Sequence, residues 1–543
     1  MKYLRWISRF VRRQRGVMSV MMLCHVLLAG CAVGFVYVSK RLVDVAVAIV
    51  QGAEPDGLLG PAAFMVGIVL LRIVLNALRS YLQIKTEISL KNSLRRRLFD
   101  ILLHMQSDGG PRRHTGDILN RMQEDVRVVS NVCAASLPNI FGTLVQFAAA
   151  FVFLMLLEPK LALIIVVIAP LGILTGKYVT RRIRNLTHDI RESDAKVQSH
   201  LQESVQHITL LQSMEHADVS SSSLGELQGG LYGSELRRAR FSILSRLIMA
   251  FTFQAAHTVA FLWAVFGISK GTVTYGMMTA FLQLVAQIQR PLVDISSQVP
   301  AVIHATASID RIMELESLPR EEDVEPQMLE GTAGVSFDKV NFMYPDSSRH
   351  VLRDFTHDFK PGSRTAIVGP TGAGKSTMVR LLLSLLRPQS GKITIYSDRQ
   401  VLTASPATRC NLVYVPQGNS LFSGTIRENL LMGNPDATED QLNTALRTAA
   451  ADFVFDLPGG LDTHCFEAGG GLSEGQAQRI AIARALLRPG RILLLDEFSS
   501  ALDADTEVTL MERLSRELPD HTMIFITHRD RIIDYCNSVL RLG

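Results

Sequence analysis

Cysteine is scarce and unpatterned in this chain, with six among 543 residues at Cys24, Cys31, Cys133, Cys410, Cys465 and Cys536. None forms a C-x-x-C pair or stands at His-associated ligand spacing, so neither a structural metal site nor a disulfide framework is expected. The thiols read as buried or lipid-facing. A dense basic stripe with interleaved aromatics is also missing, and the net charge of +5 is modest for the length, which removes nucleic acid as an expected partner. Long uncharged stretches are lacking after residue 300 but abundant before it. The hydrophobic content of 47% and mean hydropathy of +0.19 are high for a soluble protein and come from that first part. The length exceeds one ordinary core, so one membrane unit plus one soluble domain fits best.

The first sixteen residues carry Lys2, Arg5, Arg9, Arg12, Arg13 and Arg15 without an acidic residue, and an apolar stretch from Val17 to Val38 follows. That stretch is too long for a signal core and no small-residue cleavage pattern follows it. It reads as a first spanning helix with a cytoplasmic N-terminus. Further spans are expected at 59 to 82, 133 to 157, 159 to 179, 243 to 268 and 275 to 299, each near the roughly 20 residues needed to cross hydrocarbon. Glu158-Pro159-Lys160 forms an external hairpin in this reading. The charged stretches holding Arg95-Arg96-Arg97, Arg112-Arg113, Arg181-Arg182 and Arg184 fall inside by the positive-inside rule. Their helices should continue beyond the bilayer as a stalk with two cytosolic tips. Residues 1–316 are thus the transmembrane domain, 317–334, with Glu321-Glu322-Asp323 and two prolines, the linker, and 335–543 the soluble domain.

From Val335 short β-rich runs alternate with helical ones, as an α/β nucleotide-binding domain requires. Thr365 to Val368 leads into Gly369-Pro370-Thr371-Gly372-Ala373-Gly374-Lys375-Ser376, ahead of an apolar helical run. Small residues let consecutive backbone N–H groups point at phosphate oxygens, and the following helix adds its positive end. Lys375 is placed for the β- and γ-phosphates and Ser376 for Mg²⁺. The apolar run Leu493 to Leu495 ends in Asp496-Glu497. Asp496 can order the Mg²⁺ shell, and Glu497 is placed to polarise a water against the γ-phosphate. A further buried strand, Ile524 to Thr527, ends at His528, whose offset from Glu497 suits a contact with γ-phosphate or water. ATP and Mg²⁺ are the expected cofactors.

With Leu472-Ser473-Glu474-Gly475-Gln476 downstream of the loop, the chain resembles an ATP-binding cassette exporter of the half-transporter kind over essentially its whole length. The resemblance implies an all-α six-helix transmembrane domain followed by an α/β P-loop domain. It places the phosphate loop on Gly369 to Thr377, the glutamine loop and a further Mg²⁺ contact on Gln417, and the signature on Leu472 to Gln476. The catalytic glutamate falls on Glu497 and the switch histidine on His528. Ser500-Ala501-Leu502-Asp503 is similar to the family's D-loop at the dimer interface, and Tyr344 matches its adenine-stacking aromatic, against the alternative of a core aromatic. Thr115-Gly116-Asp117 with Arg121 and Asp125 resembles its first cytoplasmic loop, and Arg290-Pro291 its sixth helix. In this family Ser473, Gly475, Gln476 and their helix end meet an ATP held by the other subunit, so one chain cannot complete a site.

Two positions depart from the family pattern. Glu474 replaces the usual glycine of the signature, which bears on the hydrolysis rate. Phe466 precedes Glu467-Ala468-Gly469 where a glycine is usual in the exporter-specific loop, which bears on coupling.

The resemblance implies export or flipping of a lipid, amphipathic drug or peptide from a multi-pass protein of a bacterial inner membrane, its ATPase domain cytoplasmic. Polar residues inside spans are the cargo clues, because an ionisable group in hydrocarbon is costly. They are Arg72, Gln254, His257, Gln283, Gln287 and Arg290, with snorkelling of Arg290 and helix-tying by the glutamines as alternatives. Two arginines in an apolar cavity would suit an amphipathic anion. A homodimer leads the readings, since all catalytic residues occur in one chain. A heterodimeric half-transporter and a membrane-anchored regulatory ATPase without cargo are the competitors. No peptidase domain precedes the first span, so cargo processing in the same chain is not expected.

Overall fold

The computed structural model describes residues 2–52, 57–106, 115–345, 347, 349–466 and 471–542. Arg112, Arg113, Glu467, Ala468 and Gly469, singled out above, lie outside the described residues. The chain divides into two compact units, Met1–Leu98 with Ile118–Glu314, and Phe99–Asp117 with Leu315–Gly543.

The first unit is helical. It runs through α1 (Lys2–Phe10), α2 (Arg15–Val50), α3 (Leu59–Leu103), α4 (Thr115–Asn120), α5 (Val126–Asn131), α6 (Leu137–Leu157), α7 (Pro159–Gln206), α8 (Ile208–Ser213), α9 (Ala217–Ser269) and α10 (Tyr275–Glu316). π-turns at Arg121–Asp125 and Val132–Ser136 join α4, α5 and α6 into one rod. Such wide turns inside a helix are uncommon and frequent at functional sites. Among the described residues four helical runs, 2–50, 59–103, 116–157 and 217–269, are long and apolar enough to cross a membrane. α7 and α10 occupy the places expected of the fourth and sixth spans. The hairpin expected at Glu158 is a single residue between α6 and α7.

Small residues set the packing of this unit. Ala256, Ala260 and Ala264 recur every fourth position of α9, all buried beside Ala150, Phe281 and Leu284, which lets helix backbones approach where lipid supplies no hydrophobic drive. At the start of α10, Gly276 N–H donates to Asp44 of α2 at 2.8 Å. A Cβ there would lie 2.2 Å from the Lys40 carbonyl, so only glycine permits the approach. Arg121 and Asp125, picked from sequence as a loop motif, both bond α10. Asp125 is buried and accepts from Ser308 Oγ at 2.8 Å and Arg311 Nε at 2.7 Å, while Arg121 donates to Glu314 at 2.8 Å.

The second unit carries β1 (Gly334–Met343), β2 (His350–Phe359), β3 (Arg364–Val368), β4 (Ser390–Tyr396), β5 (Val401–Thr403), β6 (Leu412–Val415), β7 (Gly424–Thr425), β8 (His464–Cys465), β9 (Ile492–Asp496), β10 (Thr522–Ile526) and β11 (Ser538–Arg541). Its helices are α11 (Lys375–Leu382), α12 (Ile426–Leu431), α13 (Glu439–Thr448), α14 (Glu474–Leu486), α15 (Ala504–Glu517) and α16 (Asp530–Ile533). An antiparallel sheet has the order β2-β1-β4-β5 and a parallel one the order β11-β3-β10-β9-β6. Strands β9 and β10 are buried along their whole length, which explains their unbroken apolar runs in place of alternation.

The linker is strapped down within this unit. Gln106 N–H donates to Pro319 O and Glu321 N–H to His104 O, both at 2.8 Å. Arg409 grips Glu321 with two bonds of 2.7 and 2.6 Å. Asn411 accepts from Leu329 N–H and donates to Gln327 O, both at 2.7 Å, and Leu329 is buried in the core around Phe337. Phe99 to Gln106, the end of α3 and the residues after it, group here and not with the rest of that helix.

Candidate functional site

Parallel pairing brings four strand ends to one edge of the five-stranded sheet, where ligands of open α/β sheets bind. β3 runs into the Gly369–Gly374 loop, β10 into Thr527-His528, β9 into Asp496-Glu497, and β6 toward Gln417. The strand order makes neighbours of segments more than a hundred residues apart.

The loop bends at Gly372 and Gly374, with φ of +86° and +97°. Gly374 is the N-cap of α11, and a Cβ on it would come 2.9 Å from Val351, so both conformation and space demand glycine. Lys375 is 8% exposed. Its ammonium donates to Gly369 O at 2.5 Å and Pro370 O at 3.3 Å, and His528 Nε2 stands 3.0 Å away. These groups occupy the cation that phosphate oxygens would otherwise claim. Glu497 Oε1 lies 3.6 Å from His528 Nε2, and Glu497 Oε2 accepts from Gln417 Nε2 at 2.5 Å. Lys375, Gln417, Glu497 and His528 therefore form one contiguous polar cluster.

Asp496 is 6% exposed. Burial, reinforced by Glu497, pushes its carboxyl above the usual carboxylate range against the opposing pull of Lys375 and Arg380. Burial and Asp496 together push the phenol of Tyr414 up to about 12. A hard divalent cation would relieve the carboxylate, and the Ser376 hydroxyl, the Gln417 amide oxygen and Asp496 are the oxygen donors such an ion takes beside phosphates and water. Those residues fit Mg²⁺.

Tyr344 lies beside this loop, its hydroxyl 3.1 Å from Thr377 Oγ1, and Arg380 donates to it at 3.5 Å. Its ring meets Phe342 edge-on at 5.0 Å. Thr371 and Ser376 are exposed. Ser473 caps α14 with a reciprocal pair of bonds, 3.2 Å from Gln476 N–H and 2.9 Å to Gln476 Oε1, which rules the helix start as in a capping box. Gly475 is buried, and a Cβ there would lie 2.6 Å from Ala501 O. Glu474 is exposed in the first turn of α14, a position where a negative charge complements the helix end. Asp503 caps α15 through Thr506 N–H at 2.9 Å and its hydroxyl at 2.8 Å, which holds its carboxyl below the usual range.

Three contributors escape sequence reading. Gln478, buried on α14, donates to Glu497 O at 3.3 Å. Arg529 ties the segment after His528 to Ser500 O at 3.0 Å and Leu502 O at 3.2 Å, and pairs with buried Glu507. Tyr414 is the third. The helical period placing Gln478 inward was a usable signal; the other two depend on tertiary juxtaposition. In the helical unit, Arg72 and Arg290 line one cavity of about 410 Å³, which Gln254, His257, Gln283 and Gln287 do not line. Gln287 donates instead to Ala32 O at 3.4 Å.

Comparison with known proteins finds matches in both parts of the chain. The family described as ABC transporter transmembrane region matches residues 18–292, and that described as ABC transporter matches residues 352–500. A fatty acid ABC transporter ATP-binding/permease protein of Mycobacterium tuberculosis is 31% identical over 428 residues, covering 78% of this chain and 68% of its own. A Staphylococcus aureus protein named provisionally as a multidrug export ATP-binding/permease protein is 30% identical over 485 residues, covering 87% and 82%. Among solved structures, a bacterial Atm1-family ABC exporter with ATP bound has the same fold, with a TM-score of 0.78 and 24% identity over 98% of this chain and 94% of that one.

Proposed function

Because the chain belongs to the ABC transporter family, with transmembrane region and ATPase fused in one polypeptide, we propose that two copies close around two ATP molecules and pump cargo out across a bacterial inner membrane. It is a membrane-embedded exporter that binds ATP and couples its hydrolysis to transport. The six long helices are read as six crossings, with the second unit cytoplasmic.

The observation that carries the mechanism is the polar cluster at the sheet edge. Incoming phosphates take over Lys375 from Gly369 O and Pro370 O, an exchange of neutral acceptors for charged ones. Backbone N–H groups between Thr371 and Thr377 cradle the same oxygens, and Tyr344 flanks the base. Ser376, Asp496 and Gln417 would hold Mg²⁺, which would supply charge neutralisation to the phosphates. Glu497, which Gln417 Nε2 holds at the sheet edge, accepts a proton from the attacking water, and His528 donates toward the γ-phosphate. Ser473, Gly475 and Gln476 of one copy complete the site of the other, with Asp503 in the adjoining D-loop.

The relatives named for fatty acids and, provisionally, for multidrug export support a lipidic or amphipathic cargo. The test is ATP hydrolysis by the purified chain in lipid nanodiscs beside Glu497→Gln, with a panel of lipids and amphipathic compounds. We expect the variant to bind ATP and lose about 10²–10⁴-fold in rate, the worth of a positioned base. Unchanged hydrolysis in the variant would remove Glu497 from the mechanism. An inactive wild type in a well-folded dimer would favour a different partner subunit.

A further inference from the structure

The cavity in the helical unit has a composition that lipid-facing helices do not explain. It is lined from α2, α3, α6 and α10, and three of those four helices present a polar stripe to it at helical spacing. On α3 the stripe is Arg72, Asn76 and Arg79. On α6 it is Asn139, Thr143 and Gln146, and on α10 Arg290, Asp294, Ser297 and Gln298. Positions separated by three, four and seven residues share one helix face, so each stripe is a single row that meets the others across about 410 Å³ of space. That is the size of a small-molecule site.

Among the described residues three guanidinium groups line this space against one carboxylate, that of Asp294, so the wall they form carries a net positive charge. Snorkelling explains a lone arginine near a helix end. It does not explain Arg72 and Arg79, which lie roughly 10 Å apart along one helix at 1.5 Å per residue, converging with Arg290 from another. Among the described residues two polar atoms of the wall are also buried and unpartnered, Nε2 of His25 and Nε of Arg79. His25 is 7% exposed, held against α6 so closely that a Cβ on Gly142 would come 2.0 Å from its Nδ1. Arg79 reaches, among the described residues, only Asn139 Oδ1, at a long 3.5 Å. Buried polar groups left in this state are a cost that a complementary ligand removes.

We infer that this cavity selects cargo bearing a carboxylate or phosphate group, gripped by Arg72, Arg79 and Arg290, with His25, Asn76 and Asn139 bonding neighbouring polar atoms of the same headgroup. The planar guanidinium fork matches both oxyanions. The inference rests on the exporter reading and narrows it, since it turns away uncharged amphipaths that the family at large would admit. The anion's source is either a single-chain lipid or a water-soluble solute, and the experiment separates them.

The full-length dimer is placed in phosphatidylcholine nanodiscs. Binding of radiolabelled dodecyl phosphate and laurate is compared with dodecanol, and with glycerol phosphate and succinate as chainless anions. ATPase stimulation is followed in parallel. The anionic amphipaths should bind and stimulate, and dodecanol should not. Binding should fall at least about tenfold in Arg72→Gln, Arg79→Gln and Arg290→Gln, the size expected for a lost charge-assisted bond. Arg79→Lys should recover part of it, and each variant's dimer and ATP affinity serve as folding controls. Chainless anions binding as tightly as dodecyl phosphate would assign the cavity to soluble anions; their failure would assign it to lipids. Equal binding of dodecanol and laurate, or anion binding unchanged in all three glutamine variants, would overturn the inference while leaving the exporter intact. ATPase that no compound in the panel or any neutral drug stimulates would count against the exporter reading itself.

Discussion

Glu497 has φ of +46°, a left-handed conformation that costs a residue other than glycine and that clusters at active sites. Its N–H donates to Ile526 O at 2.9 Å, and its carbonyl accepts from Gln478, so strand neighbour and signature helix together hold the turn that aims the carboxylate. The phosphate loop, Asp496-Glu497 and His528 were readable because their spacing to apolar strands is local. The supports were not, since Arg529 on Ser500 and Leu502, and Tyr414 on Asp496, exist only once the parallel sheet has formed. Gly475 illustrates a residue whose identity was visible and whose reason was not. It is required by the Ala501 carbonyl, which a Cβ would meet at 2.6 Å. Backbone cannot yield there as a side-chain tip could. Gly475→Ala should therefore destabilise the ATPase unit by about 1–3 kcal/mol, as overpacking does, and lower turnover by more than its effect on ATP affinity, read as a fall in kcat in steady-state assays.

Among elements, long helices were the easiest to foresee and irregular segments the hardest. The apolar runs marked where long helices lie, four of which are, among the described residues, long and apolar enough to cross a membrane, because lipid demands about twenty apolar residues in a row; the helices run well past those stretches. Nothing in residues 115–136 announced two π-turns, the first of which ends at Asp125, the buried partner of Ser308 and Arg311. The linker between the halves is legible in its acidic residues and prolines, but its bonding is not: Glu321 is paired with Arg409 and not a solvated charge. Arg409 also donates to Leu383 O at 2.6 Å and Ser384 O at 3.0 Å. Arg409→Ala should lower the stability of this unit by about 1.5–3 kcal/mol, the range for hydrogen bonds to charged groups, and Arg409→Lys should recover little because it lacks the fork. Thermal unfolding followed by a probe in the ATPase unit checks both.

Two strand-associated histidines add a pH dependence to the same unit. Burial lowers His357 from 6.5, opposed by Asp358, and lowers His521 from 6.5 with help from Arg491. His357 packs between Phe355 and Phe359, 4.5 Å from the latter ring. Both are held neutral in the fold, so below pH 6.5 the unfolded chain takes up protons that the folded one refuses. Stability from this source is present above pH 6.5 and is lost as the pH falls through that value toward the lowered folded ones. Melting temperature should drop between pH 7.5 and 5.5, and the drop should shrink in His357→Gln/His521→Gln.

At the scale of the whole molecule, one chain contains every residue assigned to the chemistry, and in the proposed pairing no single chain finishes a site. Lys375, Glu497 and His528 form a cluster on one sheet edge, whereas Ser473 and Gly475 stand at the start of α14 with their side-chain bonds and close packing turned to Gln476 and Ala501. If the signature serves the other copy, inactivating lesions in the two places belong to different sites of a dimer. Lys375→Ala spoils the nucleotide held by its own chain; Ser473→Arg spoils the one held opposite. Each variant alone should be inactive, because a homodimer then carries the lesion in both sites. A mixed dimer puts both lesions into one site and leaves the other whole. Co-expression with two different tags and tandem purification should therefore recover ATP binding that closes the dimer, read by cross-linking across the D-loops, and hydrolysis where one intact site is enough to turn over. A mixed dimer as open as either parent would mean that the signature acts on its own chain, and the paired arrangement would have to be given up.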